Sequence, residues 1–215
     1  MINEVISRIT IGTEKRRSQF QKGFKSFSKL HGLKDWEGWF SPYDDEIYKK
    51  VLKNIKKEDV VLDIGAGDLR LSLQIAMRVK MVYAIEVNPK VLGSALKIIG
   101  FDLPRNLVAI CANAMDISFP KEITIAVLLM RHCQHFRDYV IKLRSTNCKN
   151  LITNIRWKTG VESINLTVNG ENFSQFKNGW YACKCGAIGF FSYDNNIIEQ
   201  NFPIHEVENC PHCGI

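Results

Sequence analysis

Apolar residues fall along this chain in short blocks separated by amphipathic stretches. Near-continuous apolar runs occur at Val60 to Ile64, Met81 to Val87, Leu107 to Cys111 and Ile123 to Met130, and the more mixed Asn150 to Trp157 is read as a fifth strand. Runs of that length, bounded by turn residues, read as strands buried on both faces. Between them, Arg70 to Arg78, Pro89 to Ile99 and His135 to Arg144 read as helices, and Val51 to Ile55 closes a leading helix. Strand alternating with helix predicts an α/β domain whose parallel sheet carries helices on both faces. Ligands of such sheets bind beyond the carboxyl ends of the strands, so the residues that follow each strand carry the functional interest.

The first strand runs into Asp63, Gly65 and Gly67, and the second ends at Glu86. Closely spaced glycines after a strand let the backbone turn tightly and approach a ligand. A dinucleotide turn needs GxGxxG with pyrophosphate at the helix start. Here Arg70 stands at the third glycine position, and Asp68 puts negative charge near the phosphates. A cationic sulfonium bearing an amino-acid tail and an adenosine fits better. Asp63 would face its ammonium, and the two carboxylate oxygens of Glu86 would accept from the ribose hydroxyls.

On these residues the segment from 60 to about 157 resembles the class I S-adenosylmethionine-dependent methyltransferases, which close the first strand with DxGxGxG and the second with an acid. Asp63, Gly65, Gly67 and Glu86 match that pattern. Leu69 replaces the third glycine, which is expected to narrow the room beside the methionine moiety. The resemblance implies a Rossmann-like sheet and S-adenosylmethionine as cofactor. It further implies that Asn113 and Ala114, after the third strand, contact the adenine; Asn113 is equally a good turn residue. Met130 and His132, after the fourth strand, would face the transferred methyl group. His132 is the candidate general base, its imidazole suited to proton transfer near neutrality; the alternative is that His132 and His135 only cap or pack the following helix. No Asn/Asp-Pro-Pro-Tyr/Phe signature of exocyclic-amine enzymes follows the fourth strand, and Cys133 reads as a small buried hydrophobe rather than a nucleophile.

Four of the seven cysteines lie in the C-terminal segment, as Cys183-Lys184-Cys185-Gly186 and Cys210-Pro211-His212-Cys213-Gly214. Two short cysteine pairs, each followed by glycine, resemble a zinc ribbon, with one structural zinc ion on four thiolates. The first pair has one spacer residue where a ribbon knuckle has two, and His205 and His212 are reserve ligands. A disulfide reading would need an oxidising compartment, and the N-terminus shows no charged start leading into an apolar core with a cleavage site. A cytoplasmic location is expected. Val161 to Val168 and Ala187 to Tyr193 read as strands, with Asn169-Gly170 as a hairpin turn. They either complete the main sheet or belong to the cysteine-bearing element.

Near the N-terminus, Arg8 to Lys34 holds eight Lys or Arg against the single acid Glu14, with Phe20, Phe24, Phe27 and Leu30 at helical spacing. This basic amphipathic helix either grips phosphates or docks its phenylalanines on the domain. Trp36, Trp39, Phe40 and Tyr43 form an aromatic cluster that serves as a lid over the cofactor or as core. A net charge of +7 and a pI of about 9.0 suit a polyanionic partner. No apolar run reaches the ~20 residues of a membrane span. The expected organisation is an arm and lid over 1–48, a methyltransferase domain over 49–170 and a zinc-ribbon-like element over 171–215. The expected activity is methyl transfer to a macromolecule, RNA first, with a ribosomal or translation-factor side chain as the protein alternative. A non-catalytic zinc-containing nucleic-acid-binding module is the reading from another class.

Overall fold

The computed structural model describes residues 2–12, 42–131, 133–156, 158–193 and 202–213. Most of the basic segment, the aromatic residues from Trp36 to Phe40, His132 and Trp157 lie outside them. The elements in chain order are α1 (2–12), α2 (Asp45–Leu52), β1 (Val60–Ile64), α3 (Arg70–Ala76), β2 (Met81–Glu86), α4 (Pro89–Ile99), β3 (Leu107–Cys111), β4 (Ile125–Leu128), α5 (Phe136–Arg144), β5 (Asn150–Thr153), β6 (Glu162–Asn165), β7 (Glu171–Asn172), β8 (Asn178–Cys183), β9 (Ile188–Ser192) and β10 (Ile204–Glu208).

Six strands form one sheet in the order β3-β2-β1-β4-β5-β6. The first five are parallel, and β6 runs antiparallel to β5. This is a mixed α/β, Rossmann-like architecture. Because successive side chains point to opposite faces, each buried strand feeds two cores. Val61, Val82, Ala84, Ile125, Val127 and Ile152 pack with α1 to α4. Leu62, Ile64, Ile85, Ala126, Leu128 and Leu151 pack with α5. That double burial is why these strands read as continuous apolar runs. Strand order reverses at β1, which opens the switch-point crevice at the carboxyl ends of β1 and β4.

The described part of the N-terminal segment docks on this domain. Val5 and Ile9 of α1 are buried in the first core, and Arg8 pairs with Asp102 at 3.0 Å.

The C-terminal strands divide between two sheets. β6 joins the main sheet, whereas β7, β10, β8 and β9 form a second sheet in that order. The expected Asn169-Gly170 hairpin is not formed: the chain leaves one sheet there and enters the other, where β7 pairs in parallel with β10. Gly170 serves a different need. A Cβ at that position would lie 2.8 Å from the Glu206 carbonyl oxygen, so the glycine permits close backbone approach to β10. Arg156, buried after β5, ties the two sheets together. It donates to Glu162 of β6 and, at 2.8 Å, to both carboxylate oxygens of Glu206 of β10.

Candidate cofactor site and cysteine cluster

The turn after β1 is built by left-handed backbone. Gly65 has φ +75° and Gly67 φ +58°, conformations that glycine adopts without steric penalty. The amides of Gly65 and Ala66 both donate to the Ile85 carbonyl at 2.9 Å, which folds the turn across the end of β2. Leu69 is also left-handed, with φ +66°, where a Cβ costs roughly 1–2 kcal/mol. Its side chain is fully buried in the first core. Leu69 therefore holds a glycine-like backbone while its side chain packs with the helices of the first core.

Asp63 and Glu86 end neighbouring strands, and both are buried. Ser72 of α3 donates to Asp63 Oδ2 at 2.6 Å. Burial pushes the Asp63 carboxyl up to about 6, with the Ser72 bond opposing. Glu86 accepts from the Gly67 amide through Oε2 and from the Asn88 amide through Oε1, both at 2.7 Å. Burial pushes Glu86 up to about 7; the two backbone bonds oppose, and the Asp63 charge adds to the rise. Each Glu86 oxygen retains a second lone-pair direction. Asn88 caps α4 by accepting from the Lys90 and Val91 amides at 3.0 and 3.2 Å.

Asp68, whose charge the sequence places near where dinucleotide phosphates would lie, is paired inside the turn. Arg70 reaches both its carboxylate oxygens, with Nη2 2.6 Å from Oδ2. After β3, Asn113 Oδ1 accepts from the Met115 amide at 3.0 Å, so the turn role of this asparagine is filled. Ala114 is buried beside it. Sequence reasoning missed Lys142 of α5, whose Nζ donates to the carbonyls of Ala114, Met115 and Ile117 at 2.6 to 2.8 Å and fixes this turn. Burial lowers the pKa of that ammonium.

After β4, Met130 lies against the glycine turn: a Cβ on Gly65 would sit 3.4 Å from its sulfur. Tyr43, from the edge of the aromatic cluster, has its hydroxyl 3.5 Å from the Arg131 amide. His132 lies outside the described residues, His135 approaches Asp138 at 3.4 Å, and Cys133 is half-buried against the second core. After β5 comes a further residue that the sequence reading passed over, the buried Asn154. Its sequence context, Leu151-Ile152-Thr153-Asn154, carries no signal that sets it apart from an ordinary strand end.

The cysteines meet at one point. Cys183 ends β8 and Cys185 sits in the turn to β9, closed by the Cys183 amide on the Ala187 carbonyl at 2.8 Å. Parallel pairing of β10 with β8 puts Val207 opposite Cys183, which delivers Cys210 and Cys213 to the same end. All four sulfurs lie within 4.8 Å of one another, with Cys183–Cys213 at 3.7 Å, Cys185–Cys210 at 3.5 Å and Cys210–Cys213 at 3.7 Å. A tetrahedral zinc with Zn–S of about 2.3 Å separates its sulfurs by about 3.8 Å. The donor set thus fits zinc in chemistry and spacing, and the single-residue spacer does not keep Cys183 or Cys185 out. His205, tilted against the Phe176 ring with centroids 5.5 Å apart, and His212 stand outside the group.

A sequence model of the ribosomal RNA adenine dimethylase family matches residues 43–152. Among curated proteins, a probable cobalt-precorrin-6B C(15)-methyltransferase (decarboxylating) of Methanococcus vannielii is 27% identical over 101 residues, covering 47% of this chain and 55% of that protein. The chain thus spans about half the length of the curated relative it matches. A precorrin 8w decarboxylase structure from Methanobacterium thermoautotrophicum is 22% identical with a TM-score of 0.47, covering 53% of this chain and 64% of that one. A tRNA (m1A58) methyltransferase structure from Aquifex aeolicus is also 22% identical, with a TM-score of 0.45 and coverage of 53% and 47%. The family match extends over half of the chain and takes in the glycine turn, both strand-end acids and the post-β3 turn. The chain accordingly belongs to the ribosomal RNA adenine dimethylase family, among the class I S-adenosylmethionine-dependent methyltransferases.

Proposed function

We propose that this protein transfers a methyl group from S-adenosylmethionine to RNA, ribosomal or transfer. The observation that carries the reading is the pair of buried carboxylates, Asp63 and Glu86, flanking a left-handed glycine turn at the switch point of the sheet. In this reading Asp63 meets the ligand's ammonium, Glu86 accepts from the ribose hydroxyls, Gly65 and Gly67 give the backbone room, and Asn113 and Ala114 border the adenine. The cofactor supplies an activated methyl carbon when bound. With it bound, an acceptor lone pair would bond to that carbon as the carbon–sulfur bond broke and its electrons returned to sulfur. Alignment of the acceptor supplies most of the rate, so a strong base is not required. Met130 borders the methyl group, and His132 takes the acceptor proton where one must leave.

RNA is favoured by the family description and by the net charge of +7. The family is named for an adenine acceptor, although the segment after β4 lacks the Pro-Pro signature of exocyclic-amine enzymes. The methylated atom is therefore to be read from the product. One zinc ion on Cys183, Cys185, Cys210 and Cys213 is assigned a structural role, because four thiolates leave no open coordination position.

The test is incubation of cell extract with methyl-labelled cofactor, followed by ribonuclease or protease. Label released by ribonuclease supports the proposal. Label released by protease favours the protein acceptor, and label in acid-soluble material favours a small acceptor of the kind the precorrin relative's name describes. Calorimetry with S-adenosylhomocysteine separates all of these from a binding module without catalysis: no heat at high concentration means the cofactor reading is wrong. Metal analysis should find about one zinc per chain, lost in Cys210→Ser.

A further inference from the structure

Among the described residues, the buried side-chain nitrogen and oxygen atoms without a hydrogen-bond partner both belong to one residue, Asn154. Asn154 is 2% exposed. An amide buried with neither group paired forfeits water and gains nothing, so such residues are rare in folded proteins and call for an explanation.

Its position supplies one. Asn154 directly follows β5, at the strand ends where this sheet binds ligands. Thr153 pairs with Leu128, which puts Asn154 beside the start of the post-β4 segment that holds Met130. Leu151 and Ile155 pack in the second core and Ile152 in the first. The alternation of the strand therefore puts Asn154 on the Ile152 side, the side on which Asp63 meets Ser72. The backbone on either side of it is clamped. Thr153 Oγ1 donates to the Leu128 carbonyl at 2.8 Å and accepts from the Ile155 amide at 3.2 Å. Two residues on, Arg156 is held between Glu162 and Glu206. A rigid frame around an unpaired amide is the arrangement of a recognition group whose partner arrives from outside.

We infer that Asn154 is a binding residue for the acceptor, its amide pairing with the edge of a nucleobase. A planar amide offers one donor beside one acceptor, and a base edge offers the complementary pair in the same plane. In the proposed reading Asp63, Glu86 and Asn113 meet the ammonium, the ribose hydroxyls and the adenine of the cofactor, and Asn154, one strand beyond β4, is placed toward the second substrate. The ligand enters by displacing the groups that now cover the amide. This assignment rests on the methyl-transfer reading for its choice of ligand, and the experiment separates the two.

The experiment compares wild-type protein with Asn154→Leu and Asn154→Asp, all as full chains saturated with S-adenosylhomocysteine, titrated with the four nucleoside 5′-monophosphates. Affinity for S-adenosylhomocysteine and thermal stability are measured in parallel. Wild type should bind at least one nucleotide, and Asn154→Leu should weaken that binding by about tenfold or more. Its S-adenosylhomocysteine affinity should be unchanged and its melting temperature equal or higher, because an unsatisfied amide has been replaced by an apolar group of similar volume. Asn154→Asp, which loses the donor, should change the preference among the four bases. Equal nucleotide binding in wild type and Asn154→Leu, or none in wild type, overturns the inference. Nucleotide binding that depends on Asn154 in a chain with no affinity for S-adenosylhomocysteine supports it and sinks the cofactor reading alone.

Discussion

Stability and ligand binding make opposite demands on the two strand-end carboxylates, and that conflict can be measured. Asp63 is pushed from its ordinary 3.8 up to about 6, and Glu86 from 4.5 up to about 7, in both cases mainly by burial. One pKa unit corresponds to about 1.4 kcal/mol, so ionising each group inside the free protein costs on the order of 3 kcal/mol. The two costs share the repulsion between the acids and do not simply add. Both groups are raised on folding, so the folded chain binds more protons than the unfolded one. Their contribution to stability is complete below about pH 4, declines as pH rises, and is gone above about pH 7. A ligand that brings an ammonium to Asp63 and hydroxyl donors to Glu86 needs the ionised forms. Its affinity should move the other way.

At pH 5, a group of pKa about 6 is ionised to about one part in ten, and one of pKa about 7 to about one part in a hundred. The Kd of S-adenosylhomocysteine should therefore weaken between about tenfold and a thousandfold from pH 8 to pH 5. Isothermal calorimetry at several pH values, in buffers of different ionisation enthalpy, reads both the affinity and the protons released on binding near pH 6.5. Urea unfolding of wild type against Asp63→Asn/Glu86→Gln supplies the stability arm: the variant should gain relative to wild type as pH rises from 5 to 8. A Kd that is flat across this range, with no proton release, would falsify the assignment of these carboxylates to the ligand.

Three further outcomes follow from the packing. Arg156→Met removes the guanidinium between Glu162 and Glu206, and should destabilise the chain by about 3–5 kcal/mol in urea titration, with recovery on adding Glu206→Gln; a loss under about 1 kcal/mol would show the staple to be idle. Leu69→Ala should cost about 3 kcal/mol through lost burial, whereas Leu69→Gly, which removes one more methyl but relieves the left-handed backbone, should be no less stable than the alanine variant. A glycine variant clearly worse than the alanine variant would remove the strain argument. Chelation of zinc should lower the melting temperature, and so should Gly186→Ala, because Gly186 has φ +97° and a Cβ there would lie 2.9 Å from the Phe136 ring at the start of α5; unchanged melting after complete metal removal speaks against a structural ion.

What was legible in the sequence follows from how local the determining forces are. β1 and β3 fall on the expected residues because a strand buried on both faces must be apolar throughout, and α4 does because Asn88 and Pro89 mark its start and Gly100 its end. The cysteines could be read in the same way, since four soft ligands in two tight turns have few other uses. The hairpin at Asn169-Gly170 was wrong because β6 and β7 are short, and their partners, β5 and β10, are chosen by contacts distant in sequence. At Leu69 the sequence shows only a missing glycine; that a leucine holds a left-handed backbone there, its side chain entering the first core, depends on residues distant in the chain.

Asn154 is the opposite case. Nothing in Leu151-Ile152-Thr153-Asn154 distinguishes an unpaired buried amide from an ordinary strand end, because an unmet bond exists only once the surroundings are built. The same holds for Lys142 and Arg156, whose importance comes from carbonyls and carboxylates far away in the chain. Residues that bind a ligand through backbone shape or a fixed charge announce themselves by type and spacing. Residues that do so through what their neighbours fail to provide are found only by asking where every buried polar atom has gone.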